Sequence, residues 1–424
     1  MYRPGWFPEY SPKQQQIFDA IYNTIAQTFA QYGYQHIWTP AVENTTILKK
    51  WWEESSKQIF GLYGMAQGPE DAKDYSLHFD LTVPFARYAL DRQNELAFPF
   101  KRYQIQPVWR GERNQKGRYK EFRQADIDVI WKSKEDKGYN DIYDADCIIA
   151  LAKAIEFVGS QVWLTIQSQF HVNNKLFTYA LIELIAGVDR PALLKLFDSY
   201  HKLPKEKFAE ELTKLWIKDS HIDILNVLYG KDIGQLRSFT ASSPAAQEAL
   251  DKLEKVTQKL DAAGVSYIID PFIVRGLDYY TGTVFETFVD GKIELGSICS
   301  GWAYANLTDF IDKKQSFSWV GGSIGLSRLL SVLLEDYDLE KTFVSPTQTY
   351  LIINDGKFTD TAHKIISKYH ASGDVIELFP LAEDFLKQIK YAQQKGITHI
   401  IKIKSEIEYE VVKSDERQWI IYKF

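Results

Sequence analysis

Between Arg110 and Arg123 the chain reads RGERNQKGRYKEFR, six positive side chains against two negative ones in fourteen residues. Glycines at 111 and 117 weaken a helical reading and the apolar residues lack a 3.6 spacing, so the stretch reads as a loop between two strands. Such a basic patch can hold phosphates, although composition alone fits a solvated loop equally well. Directly after it, QADIDVIW alternates polar and apolar residues. On a strand Gln124, Asp126 and Asp128 point to one face, and Ile127, Val129 and Ile130 mark the strand as buried. Upstream, Asp80 and Thr82 in FDLT precede the helical run PFARYAL, where either could cap the helix or accept a hydrogen bond from an amine. Arg275 begins RGLDYYTGTVFE just after the extended VSYIIDPFIV, so it enters a cleft from a sheet or ends a strand in a salt bridge. GGSIGLSRLL reads as a glycine-rich strand-to-helix turn with Arg328 on the helix, and it is not a phosphate-binding Gly-x4-Gly-Lys loop. The eight histidines show no ligand-type spacing. The two cysteines, Cys147 and Cys299, lack a Cys-x-x-Cys partner, so no metal site is expected and both read as small buried hydrophobes.

The elements that must position these residues follow from periodicity. Ile17, Phe18, Ile21, Ile25 and Phe29 form one helical stripe, with Gly33 placed to end it. Tyr75 to Trp131 alternates β-rich pieces with loops around one short helix, which predicts an antiparallel sheet. From Asn173 to Leu260 helical periods dominate, strands resume at VSYIID, and TYLIIND opens an alternating strand and helix pattern after Pro346. The expected fold is α+β: an antiparallel sheet flanked by helices, interrupted by a helical insertion and followed by a small α/β domain. Expected boundaries are 1–172 and 262–335 for the interrupted domain, 173–261 for the insertion and 346–424 for the last domain.

Composition bounds the rest. At 424 residues with 45% hydrophobic and 14% aromatic content the chain can bury large cores. No apolar run reaches the roughly 18 residues of a membrane span, and MYRPGWFPEY lacks the regions of a signal peptide, so a cytoplasmic protein is expected. A formal charge of −6 argues against broad coating of nucleic acid.

Taken in order, YGYQHIWTPAVE, HFDLTVPFARY, RGERNQKGRYKEF, RGLDYYTGTVFE, SGWAYANL and GGSIGLSRLL resemble the successive motifs of the histidyl-tRNA synthetase family of class II aminoacyl-tRNA synthetases, RGLDYYTGTVFE being the most family-specific. The resemblance implies a class II sheet, a C-terminal anticodon-binding domain, and a ligase that activates histidine with ATP and Mg²⁺ and transfers it to its tRNA. It implies that Arg110 bridges the amino-acid carboxylate and the α-phosphate, that Arg275 contacts the α-phosphate, that Glu112, Arg113 and Arg118 meet the adenine end and outer phosphates, and that Arg328 stacks on adenine. It gives the α-amino group to Asp80, Thr82 and Gln124, the imidazole to Asp128 and Tyr280 with Tyr279 and Tyr304 completing the pocket, and the tRNA acceptor end to Gln115. YGYQHIWTPAVE implies a two-fold homodimer, and no membrane partner is expected.

The pattern departs at Trp302, Ala303 and Ala305, where the family has glycine, arginine and aspartate, so that ion pair cannot form here. Ser327 replaces a usual acid and Asn114 a usual proline, and the last domain ends at WIIYKF where relatives often continue. A second function is compatible with the resemblance: a histidine-binding, synthetase-like regulatory subunit of ATP phosphoribosyltransferase without ligase activity. Such paralogues tend to lose the arginines kept here.

Overall fold

The computed structural model describes residues 4–51, 56–66, 68, 74–111, 119–133, 139–162, 164–166, 168–185, 190–217, 222, 225, 228–274, 282–291, 296–305, 308, 311, 316–339, 349–380, 382, 384–413 and 420–423. They form two compact units, Met1–Phe343 and Val344–Phe424.

The first unit starts with α1, Pro12–Gln31. Ser11 and Gln14 cap it reciprocally, which satisfies amides that a helix start leaves open. Its buried stripe is the one the periodicity marks, and Gly33 at φ 80° turns the chain away. Each large apolar side chain in that stripe contributes about 1.5–3 kcal/mol on burial. The stripe belongs to a core shared with the 23-residue helix Tyr139–Gln161 and with the sheet.

That sheet has eight strands. β1 (Gln35–His36) lies at one edge, and a three-stranded side sheet is made by β2 (Val42–Asn44), β3 (Gly61–Leu62) and β4 (Tyr75–Leu77). β5 (Phe100–Trp109) and β6 (Glu121–Lys132) are the antiparallel arms of a hairpin that carries the basic loop. They are followed by β7 (Ser168–Asn174), β8 (Tyr267–Ile269), β9 (Thr283–Val289), β10 (Cys299–Ala305) and β11 (Phe317–Gly325), and the order is β1-β5-β6-β11-β10-β9-β7-β8. The six central strands pair antiparallel, as expected, but β1 joins β5 and β8 joins β7 in parallel, so the sheet is mixed. Parallel neighbours need a long crossover, and the one from β7 to β8 is the run of helices between Lys175 and Ala262.

In the second unit β12 (Thr349–Ile352), β13 (Val375–Leu378) and β14 (His399–Ser405) pair in parallel through the crossover helices Thr359–Ala371 and Phe385–Lys395. β15 (Glu408–Lys413) and β16 (Ile420–Lys423) add antiparallel strands. Among the described residues no helix is long and apolar enough to cross a membrane. Cys147 and Cys299 are both buried, as expected of small hydrophobes.

Candidate active site

Register builds the site. Arg102 of β5 stands opposite Asp128 of β6, Gln104 opposite Asp126 and Gln106 opposite Gln124. On the other side of β6, Asp128 faces Gly321, Asp126 faces Ser323 and Gln124 faces Gly325 of β11. Directly opposed residues share a face, so three strands present one polar layer. The GGSIG glycines lie within β11, not in the turn that the sequence suggests, and the helix Leu326–Asp336 starts after them. The physical reason is room: a Cβ on Gly321 would collide with the Asp128 carboxylate.

Above this layer is a cavity of about 420 Å³ lined by Asp80, Thr82, Arg110, Gln124, Asp128, Tyr304 and Arg328, each of which sequence reasoning selects, and also by Asp126. Arg275, Tyr279, Tyr280, Glu112, Arg113, Gln115 and Arg118 lie outside the described residues.

Asp128 is fully enclosed. One of its oxygens pairs with the Arg102 guanidinium, and Oδ1 accepts from the Tyr304 hydroxyl at 3.4 Å. Arg102 is itself buried, reaches the Leu81 carbonyl at 3.4 Å and the Gln104 side chain at 3.3 Å, and packs 4.5 Å from the Phe85 ring. The sequence reading missed this arginine. Burial pushes Asp128 up to about 7 and Asp126 up to about 6, with Arg102 opposing the rise in both. Gln124 donates to the Ser323 hydroxyl at 3.1 Å. Gln124 Oε1 and Asp126 Oδ1 are buried acceptors with no hydrogen-bond partner among the described residues. Buried acceptors of this kind cost roughly 1–3 kcal/mol each until something donates to them.

The helix-capping reading of FDLT holds for Asp80: its Oδ1 accepts the Val83 amide at 3.1 Å in the first turn of the helix Thr82–Asp91, and the residue also lines the cavity. Arg110 follows the last residue of β5 and is clamped: Nε donates to the Phe79 carbonyl at 3.1 Å, and the guanidinium lies 4.5 Å from the Phe79 ring and 5.0 Å from Phe122. Arg328 donates to the Ser297 carbonyl at 2.7 Å from the first turn of its helix. A cation there opposes the helix dipole, so helix stability does not explain its position.

Some of the departures have clear surroundings. Trp302 packs against Ile273, Val284 and Phe288 and lies edge-on to Tyr304, while Ala303, on the opposite face of β10, belongs to the main apolar core. Ser327 accepts the Arg123 backbone amide at 2.9 Å, tying its helix to β6.

A family model described as histidyl-tRNA synthetase matches residues 7–329. The chain is 33% identical over 406 residues to a histidine–tRNA ligase of Cutibacterium acnes, covering 93% of this chain and 88% of that one. It is 34% identical over 409 residues to one of Clostridium acetobutylicum, covering 94% and 91%. Among solved structures it is similar to histidyl-tRNA synthetase from Nostoc sp. PCC 7120, with a TM-score of 0.83, 26% identity and coverage of 100% and 97%. A protein titled ATP phosphoribosyltransferase regulatory subunit/histidyl-tRNA synthetase, from Bacillus halodurans, shares the fold at a TM-score of 0.72 and 19% identity, covering 95% of this chain and 98% of that one.

Proposed function

The chain belongs to the histidyl-tRNA synthetase family, and from that premise we propose that it converts histidine and ATP to histidyl-adenylate and passes the histidyl group to the 3′ end of histidine tRNA. The observation that carries this is the floor of the cavity: Asp128 set between Arg102 and Tyr304, beside two buried acceptors that have no donor among the described residues. An amino acid with a positive α-ammonium and a ring N–H supplies donors for all of them.

In the first step a histidine carboxylate oxygen attacks the α-phosphorus in line and pyrophosphate leaves. Arg110, fixed by a carbonyl and two rings, holds the carboxylate against the α-phosphate without reorienting as charge develops. Arg275 is the second cation at the α-phosphate. Glu112, Arg113 and Arg118 hold the adenine end and outer phosphates, and Arg328 stacks on adenine. Asp80, Thr82 and Gln124 accept from the α-ammonium, Asp128 accepts a ring N–H, Tyr280 pairs the other ring nitrogen, and Tyr279 and Tyr304 close the pocket. In the second step a hydroxyl of the terminal ribose attacks the acyl carbon, AMP leaves, and Gln115 faces the acceptor end. Asp80 and Asp128 are engaged with the Val83 amide, Arg102 and Tyr304, so Mg²⁺ would be held by the ATP phosphates and would supply neutralisation of their charge. Residues 1–172 and 262–335 are read as the catalytic domain, 173–261 as its insertion and 346–424 as an anticodon-binding domain acting in the cytoplasm. The test is transfer of labelled histidine to unfractionated tRNA. Charging of a histidine-accepting fraction alone is expected, and no acid-precipitable label would contradict the proposal.

The functional particle is a homodimer. Trp38, Val42 and Tyr75, on or just before the β2–β4–β3 side sheet, are 61%, 43% and 60% exposed in the isolated chain. Large apolar groups clustered this way mark an interface, and a two-fold axis would cover the same patch on both copies. Light scattering at micromolar concentration should give twice the chain mass; the mass of one chain would exclude it.

A further inference from the structure

Far from the cavity in sequence, His171 of β7, His201 in a short 3₁₀ turn and Asp270 just after β8 come together. Asp270 Oδ2 lies 2.8 Å from His171 Nδ1 and 2.5 Å from His201 Nε2, while Oδ1 accepts the Phe272 amide at 3.0 Å. Asp270 and His171 are buried, and His201 is partly open. Aromatic rings wall the cluster: Phe288 is 5.0 Å from His171 and 5.6 Å from His201, and Tyr229 is 5.9 Å and 5.6 Å from them. These residues do not line the catalytic cavity.

We propose that His171, His201 and Asp270 form a binding site for one divalent transition-metal ion of the zinc type, which staples the edge of the large sheet to the helical segment inserted between β7 and β8. Two imidazoles and one carboxylate are the donor set of three-ligand Zn²⁺ sites that keep a water in the fourth position, and they are too few and too nitrogen-rich for Ca²⁺ or Mg²⁺. The three donor atoms already lie within 4.8 Å of one another. Bonds of about 2.0–2.2 Å in tetrahedral geometry set ligand atoms about 3.4 Å apart, so the carboxylate oxygen withdraws by about 0.6–0.9 Å and the two ring nitrogens, which lie within 4.8 Å, close toward the same spacing. With its proton on the other nitrogen, each ring presents a lone pair to the ion. The second imidazole side opens through His201, which gives the ion a way in.

The experiment uses the full chain, stripped by chelator and dialysed without nucleotide, and titrates it with Co²⁺ alone. The expected result is d–d absorption saturating at one Co²⁺ per chain, displaced by Zn²⁺, with a rise in melting temperature. His201→Gln, checked for folding by circular dichroism, should weaken Co²⁺ binding by at least about 100-fold. X-ray absorption on the Zn²⁺-loaded natural chain should show a nitrogen and oxygen shell with two imidazoles, which needs no variant. Absence of absorption at millimolar Co²⁺, unchanged binding in His201→Gln, or a metal shell without imidazole would each overturn the proposal and leave a hydrogen-bonded triad.

Discussion

Arg110→Ala is expected to slow single-turnover adenylate formation by a factor on the order of 10²–10³, or roughly 2.7–4 kcal/mol, while the chain folds normally. The guanidinium is held by the Phe79 carbonyl and by the Phe79 and Phe122 rings, an arrangement that gives up rotamer freedom in advance of substrate. A donor fixed in this way is worth most where charge appears during the displacement. The loss should therefore fall on kcat more than on the KM for histidine, because Asp80, Gln124 and Asp128 are untouched. Lost stacking at a half-buried position costs little stability, and a thermal melt beside the kinetics separates the two effects. A near-native rate, or inactivity explained by unfolding, would remove Arg110 from the chemistry.

Arg102→Met should destabilise the chain by about 3–5 kcal/mol near pH 8, since it leaves buried Asp128 without its cation. The pH dependence identifies the cause. Asp126 at about 6 and Asp128 at about 7 lie above an unfolded carboxyl near ~3.9. Between about pH 4 and 7 the folded chain thus holds protons that the unfolded chain has lost, so these two groups lower stability as pH rises and their cost is fully present above about 7. Arg102 opposes both shifts, so its removal raises both values further and extends that loss to higher pH. At pH 5 both carboxyls are protonated with or without Arg102, and the variant should be much closer to the natural chain. Histidine affinity should fall as well, because a protonated Asp128 is a poorer acceptor for the ring N–H. Chemical denaturation at pH 5 and pH 8 gives the answer: an equal loss at both would mean that Arg102 only fills space.

Much of this site is legible in the chain because its parts keep a simple period. The helical stripe from Ile17 to Phe29 buries as written, and the two-residue period of QADIDVI puts Gln124, Asp126 and Asp128 on one face. Arg102 is not legible for the same reason. FKRYQIQPVW alternates, and an alternating strand ordinarily turns its polar face to water. Here Arg102, Gln104 and Gln106 are buried and bond to one another, to Thr39 and to Asp128, as an internal polar layer beneath the cavity. The role of Gly321 is hidden likewise, since nothing in GGSIG says that the missing Cβ makes room for a carboxylate on the next strand. His171, His201 and Asp270 are joined only by tertiary structure, so no local spacing reveals them. The parallel pairs at both sheet edges depend on where long crossovers return, which periodicity does not encode.

Histidine-dependent exchange of labelled pyrophosphate into ATP tests the central claim most directly, because it reads formation of the adenylate without requiring a matched tRNA. Exchange is expected with histidine and with no other standard amino acid, and an analogue lacking the ring N–H should be rejected by roughly 10⁴ or more, since it leaves the buried Asp128 carboxylate short of a donor. Histidine binding with no exchange at all would contradict a ligase and leave a histidine-binding regulatory subunit in its place.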